Sequence, residues 1–244
     1  MRELAEVSRP EALPISGPIS GPAFSAETAA VIRARLGGAI PEMIEAIAHG
    51  VPGYASRAHP DYHQRLTDAV TGAVACFITD VARPDQSIRP ITAEFRAIGG
   101  AAARDGRTLD ALQDALRLGA RVAWRWLCEA DAGLDRRELS RVGEAIFVYL
   151  DELAAACAQG YAEARVQATG DRQRRLLAAI VSDPPSRAEL VASLARTAGW
   201  VLPDQVAVVV LGHRQQDGLL LPPGVLADWT GPEPCLLVPD PDGP

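Results

Sequence analysis

The sequence predicts a mainly α protein, a bundle-like helical domain with a long C-terminal helix, followed by an incomplete small α/β unit. Three observations predict it. Apolar residues recur at steps of three and four from about Val31 to Val181, a period that lays them along one helix face. Proline, glycine and cap-forming residues interrupt that rhythm where helices would start and stop. A run of β-branched residues appears only after Asp183. The expected organisation is therefore a flexible leader over 1–24, an all-helical domain over 25–182, and the start of an α/β domain over 183–244.

The leader contains PEALPISGPISGP, with four prolines and two near-identical ISGP units, which favour extended backbone and bury little. Ser25 then caps a first helix, with Glu27 in its first turn and Val31, Ile32, Leu36 and Ile40 on its apolar face. Pro41 either kinks that helix or starts a new one through Met43, Ile44 and Ile47 to Gly50. Pro60 suits the first turn of the next helix, which carries Leu66, Val70, Val74, Phe77, Ile78 and Val81. A third helix is expected from Pro90 to Arg104, closed by Gly106 in the left-handed conformation that a C-cap favours.

Thr108 caps the fourth helix, where Leu109, Leu112, Leu116, Gly119, Ala123 and Trp126 make a heptad-like seam. Asp135 and Glu138 form a capping-box-like start for the fifth, whose Leu139, Val142, Ile146, Leu150, Leu153 and Cys157 keep a similar rhythm. It is expected to run through Arg174 to Val181, with bends at Gly160 and Gly170. Ser186 and Glu189 suggest a second capping box before Leu190, Leu194 and Ala198. Val206 to Leu211 reads as a short buried strand and Leu236 to Val238 as a weaker one, with too few strands in sight to pair them.

Composition excludes several function classes. With 24 Lys+Arg against 31 Asp+Glu, a net charge of -7 has the wrong sign for a surface devoted to nucleic acid. Every strong base is arginine, since the chain has neither lysine nor asparagine. Cys76, Cys128, Cys157 and Cys235 are far apart, without metal-ligand or disulfide-framework spacing. The first three fall among apolar helical residues and read as core fillers. No apolar run approaches the roughly 18 residues of a membrane helix and no signal peptide opens the chain, so a reducing cytoplasm is expected.

No G-x-S-x-G, P-loop or G-x-G-x-x-G motif occurs. The expectation is a protein that is not an enzyme and holds neither metal nor cofactor. His59 and His63 form an i, i+4 pair at a helix mouth that could contact a ligand or haem, but a third ligand is not visible. The Gly99-Gly100 pair reads as a place where helices approach closely. Arg117, Arg121 and Arg125 repeat every four residues on one face, and Asp110 and Asp114 precede them in the order that favours intrahelical pairing. Trp124 and Trp126 diverge by roughly 200 degrees on a helix. Trp126 joins the seam, and Trp124 beside Arg121 is the better candidate for a ligand or partner contact.

DGRTLDALQDALRLGARVAWRWL, EAIFVYLDELAAACAQGYAEA and DRQRRLLAAIV together resemble the N-terminal part of PucR-type transcriptional regulators of actinobacteria. Their leading domain is similar to the N-terminal domain of stressosome RsbT co-antagonist proteins. The likeness covers about Ser25 to Val181. LARTAGWVLPDQVAVVVLG and the Pro-rich end look like the opening of the degenerate GGDEF-like domain of such regulators.

The resemblance implies a globin-like, haem-free helical domain that senses a signal and forms a homodimer. A small-molecule effector is a further expected partner, and DNA would be bound only through a C-terminal helix-turn-helix absent from this chain. Leu109, Leu112, Leu116, Trp126, Leu139, Val142, Ile146 and Leu150 are the candidates for core or dimer packing. Trp124, Arg121, His59 and His63 are the candidates for ligand contact. The rival readings are a small-ligand or haem-binding helical module and a stressosome-like interaction scaffold without DNA binding.

Overall fold

The computed structural model describes residues 24–52, 60–82, 90–129, 133–211, 221–229 and 234–241. Six helices come first: α1 Ala26–Gly50, α2 Pro60–Ala82, α3 Pro90–Arg104, α4 Leu109–Leu127, α5 Arg136–Ile180 and α6 Ala188–Ala198. Three strands follow, β1 Val206–Val210, β2 Leu226–Asp228 and β3 Cys235–Pro239. The chain divides into two compact units, 1–161 and 162–244, and the division falls inside α5.

Local chemistry accounts for several helix ends. Ser25 Oγ accepts from the Thr28 amide and Thr108 Oγ1 accepts from the Ala111 amide, so each satisfies one of the amides a helix start leaves without a partner. At α5, Glu138 Oε2 accepts from the Asp135 amide at 2.9 Å and Asp135 Oδ1 accepts from the Glu138 amide at 2.8 Å, a reciprocal capping box. The other Glu138 oxygen accepts from Thr28, a buried hydroxyl on α1, so this cap also ties α5 to α1. Gly106 has φ 72°, and the Arg107 amide reaches back to the Ala102 carbonyl, which ends α3 without a steric penalty.

The first unit packs α1 to α4 and the first part of α5 around one core. Ile32, Leu127, Val81 and Val142 are among its fully buried side chains. Helix α1 remains a single helix through Pro41. A Cβ on Gly99 would fall within the Cys157 carbonyl, and one on Gly160 within the Arg96 carbonyl, so α3 and α5 cross backbone against backbone. The close approach expected at Gly99 is present. Gly160, where a bend was expected, is part of this crossing and lies inside an uninterrupted helix.

In the second unit Leu176 and Leu177, at the end of α5, share a core with Ala195, Trp200, Leu226, Cys235 and Leu237. Trp200 donates its indole N–H to the Gly224 carbonyl at 2.6 Å, which satisfies the polar atom of an otherwise apolar ring. The three strands form an antiparallel sheet in the order β1-β3-β2. Val206 pairs with Pro239 and Val210 with Cys235, while Leu226 pairs with Leu237.

Several expectations are corrected here. The strands expected to lie unpaired are paired, and β2 completes a sheet too short in sequence to have been noticed. The run expected to be buried is an edge strand whose four valines are exposed. Apolar content alone could not tell a central strand from an edge one. The Ser186–Glu189 box does not form, because Ser186 Oγ bonds to Ser182 and Arg187 takes the cap position without a side-chain bond. Cys128 is exposed just past α4, where it fills no core.

Candidate functional site: an apolar cavity among five helices

A cavity of about 210 Å³ lies within the first unit, lined from α1 to α5. Its origin is a matter of side-chain volume. Ala69 and Ala73 on α2 and Gly119, Ala120 and Ala123 on α4 place small residues where larger ones would meet. Leu36, Met43 and Ile47 on α1, Leu66, Val70 and Phe77 on α2, and Phe95 and Ile98 on α3 supply the surrounding apolar wall. Interiors are ordinarily filled to crystal-like density, so a space of this size among apolar residues stands out.

Tyr149 of α5 fixes one side. Its hydroxyl donates to the Ala73 carbonyl at 2.9 Å, and its ring meets Phe77 at a centroid distance of 5.3 Å and an interplanar angle of 55°. Burial, reinforced by the charges of Asp80, Glu152 and Glu94, pushes the Tyr149 phenol well above its ordinary value, so it stays a neutral donor. Cys157 also lines the space, and burial pushes its thiol up to about 12. It is a neutral apolar surface at physiological pH, without the thiolate character that nucleophilic chemistry needs.

Among the described residues two charged side chains belong to the lining, Arg65 of α2 and Arg107 ahead of α4, and no carboxylate does. Arg107 is half-buried, with an ion pair to Asp105 at 2.8 Å, while its carbonyl accepts from the Tyr161 hydroxyl at 3.1 Å. Arg65 is exposed. The arrangement is suited to holding an apolar body by burial and to favouring negative charge over positive.

The seam residues divide over this structure. Leu112, Leu116, Ile146 and Leu150 line the cavity, Val142 is fully buried, and Leu109, Leu139 and Trp126 are partly buried against the core. Trp126 sits over Gly38 of α1 and donates its indole N–H to Glu42 at 2.7 Å. That hydrogen bond, with Arg125 beside it, holds the Glu42 carboxyl below its ordinary value.

Of the arginine stripe, Arg117 pairs with Asp114 at 2.9 Å, Arg125 pairs with Glu42 across to α1, and Arg121 is exposed. Trp124 is 40% exposed, and its ring lies against Gly143 of α5, where a Cβ would stand 3.2 Å away. His63 is exposed on α2, and His59 lies outside the described residues. Among the described residues no histidine lines the cavity. Of the described ligand-contact candidates, Trp124, Arg121 and His63 are not among the residues lining this cavity.

Sequence reading missed Tyr149, Arg65 and Arg107 as lining residues. The one local signal was a tyrosine interrupting the aliphatic rhythm of α5, since a phenol in a core needs a partner. Among the described residues no group of three metal-ligating side chains occurs, and no helix is long and apolar enough to cross a membrane.

The family model for the PucR-like N-terminal domain matches residues 22–181. The chain belongs to the PucR-like N-terminal domain family. That match takes in α1 to α5, and therefore every residue lining the cavity. No curated protein and no solved structure matches the chain.

Proposed function

We propose that this chain is the sensory and dimerisation portion of a cytoplasmic, actinobacterial PucR-type transcriptional regulator. In this reading operator DNA is bound by a helix-turn-helix outside these 244 residues. The observation that carries the reading is the family match over 22–181, with an apolar cavity lined by residues of the matched domain. A regulator's receiving domain needs a place where a signal is read, and a cavity surrounded by five helices is such a place.

Dimerisation is the second half of the proposal. Dimeric DNA readers need a fixed protein symmetry because it sets the spacing of half-sites. The partly exposed Trp124 and the 71% exposed Phe147, one turn along α5 from the glycine beneath Trp124, offer an apolar face of the kind that subunits cover. The second unit, with β1 exposed at the sheet edge, is read as the opening of a degenerate GGDEF-like domain. Sequencing the gene past the codon for Pro244 tests that part, and an in-frame helix-turn-helix is the expected result.

Light scattering on the purified chain tests the association. A particle of twice the chain mass at tens of micromolar is expected, and Phe147→Glu should shift it to monomer without loss of helical signal. A wild-type chain that stays monomeric would reject the dimer.

A further inference from the structure

The sensory reading leaves the chemistry of the signal open, and the cavity lining narrows it. Apolar cavities of about 150 Å³ are known to stay dry and admit a benzene ring, and this one measures about 210 Å³. The space therefore suits a single ring or a short branched chain. Among the described residues the charged side chains of the lining are Arg65 and Arg107, while the carboxylates of Asp105, Asp80, Glu94 and Glu152 act on Arg107 and Tyr149 from outside it.

The titratable groups of the lining other than the arginines add no negative charge of their own. Tyr149 is engaged with the Ala73 carbonyl as a neutral phenol, and Cys157 remains a thiol. Arg107 also retains the Asp105 ion pair, so its cation is positioned before any ligand arrives. A guanidinium offers a planar fork that matches a carboxylate, and such charge-assisted bonds are stronger than neutral ones.

We propose that the cavity of the first unit binds a ring-sized apolar monocarboxylate, its hydrocarbon body among the α2, α4 and α5 side chains and its acid group toward Arg65 and Arg107. The inference rests on the sensory reading of the domain and adds the ligand class. An amine is disfavoured by the two arginines. A neutral compound of the same size would gain the burial but lose the ionic contact.

Calorimetric titration of the full chain with benzoate, cyclohexanecarboxylate, benzamide and benzylamine tests it. The carboxylates should bind at least about tenfold tighter than benzamide, and benzylamine should not bind, tenfold being about 1.4 kcal/mol. Arg65→Gln and Arg107→Gln should each weaken benzoate about fivefold or more, a modest part of that ionic contact, and leave any benzamide affinity unchanged. Val70→Phe, which fills the space from α2, should abolish binding of both, and Ala69→Leu serves the same purpose if Val70→Phe does not fold.

Equal binding of benzoate and benzamide, binding that survives the filling variants, or no binding by any probe would overturn the proposal. The light-scattering result is independent of these outcomes. A dimer that ignores every carboxylate removes the ligand class and leaves the regulator reading. A monomer that binds benzoate removes the dimer and leaves the sensory reading with its ligand class.

Discussion

Two stretches of α5 less than three turns apart treat space in opposite ways. Around Tyr149, Leu150 and Leu153 the helix borders a cavity of about 210 Å³, whereas at Cys157 and Gly160 its backbone meets that of α3 with no space for a methyl group. The difference comes from what each neighbour presents. Gly99 and Gly160 remove the Cβ atoms that would separate the helices, so the backbones close up. Opposite Tyr149 the small residues Ala69, Ala73, Gly119 and Ala120 lie on helices held apart by larger ones such as Phe77, Phe95 and Met43. Small side chains thus give contact where two backbones can approach and a cavity where larger neighbours hold them apart.

The comparison breaks first at the crossing. Gly160→Ala and Gly99→Ala should each destabilise the first unit by about 3 kcal/mol, because overpacking against rigid backbone has no side chain to move aside. Urea titration followed by helical circular dichroism reads this. Alanine tolerated at both positions would show that the helices do not meet there.

On the cavity side, Tyr149→Phe should cost about 1 kcal/mol through the lost bond to the Ala73 carbonyl. The same titration would disprove the role of the hydroxyl if the midpoint did not move. Thr108→Ala removes the cap of the helix that forms much of the cavity wall, and a loss of about 1 kcal/mol is expected. Thr108→Asp should recover most of it, which separates capping from packing.

The smallest effect is expected from pH. Glu42 has a folded value below its ordinary 4.5, held there by Trp126 and Arg125. Its contribution is therefore complete above that ordinary value and is lost as pH falls through the folded one. Comparing denaturation at about pH 6 and about pH 3.5, Glu42→Gln should show a slightly smaller acid loss than the wild type. An identical loss in both would mean that Glu42 carries none of the linkage.

Much of the helical frame was legible because its signals are local. Ser25, Thr108, Gly106 and the Asp135–Glu138 pair each satisfy backbone groups within a few residues, so sequence spacing suffices to place them. Ser186 shows the limit of such signals, since Ser182 competed for its hydroxyl. The heptad spacing of α4 marks a stripe of which only Leu112 is buried, the other buried residues of the helix being Ala115, Val122 and Leu127. Leu112 and Leu116 border the cavity, while Trp126 reaches α1 and finds Glu42.

The sequence by itself determined where several of the helices begin and end, that the chain is acidic and that its arginines are partly answered by nearby aspartates. These depend on period, caps and composition. Only the tertiary structure decided that Gly160 is a crossing, that β1 is an exposed edge, and that five helices leave a cavity lined by apolar residues together with Arg65 and Arg107. The physical reason is that unfilled volume is a sum over side chains distant in sequence. No periodicity along one helix records what the other four leave unfilled.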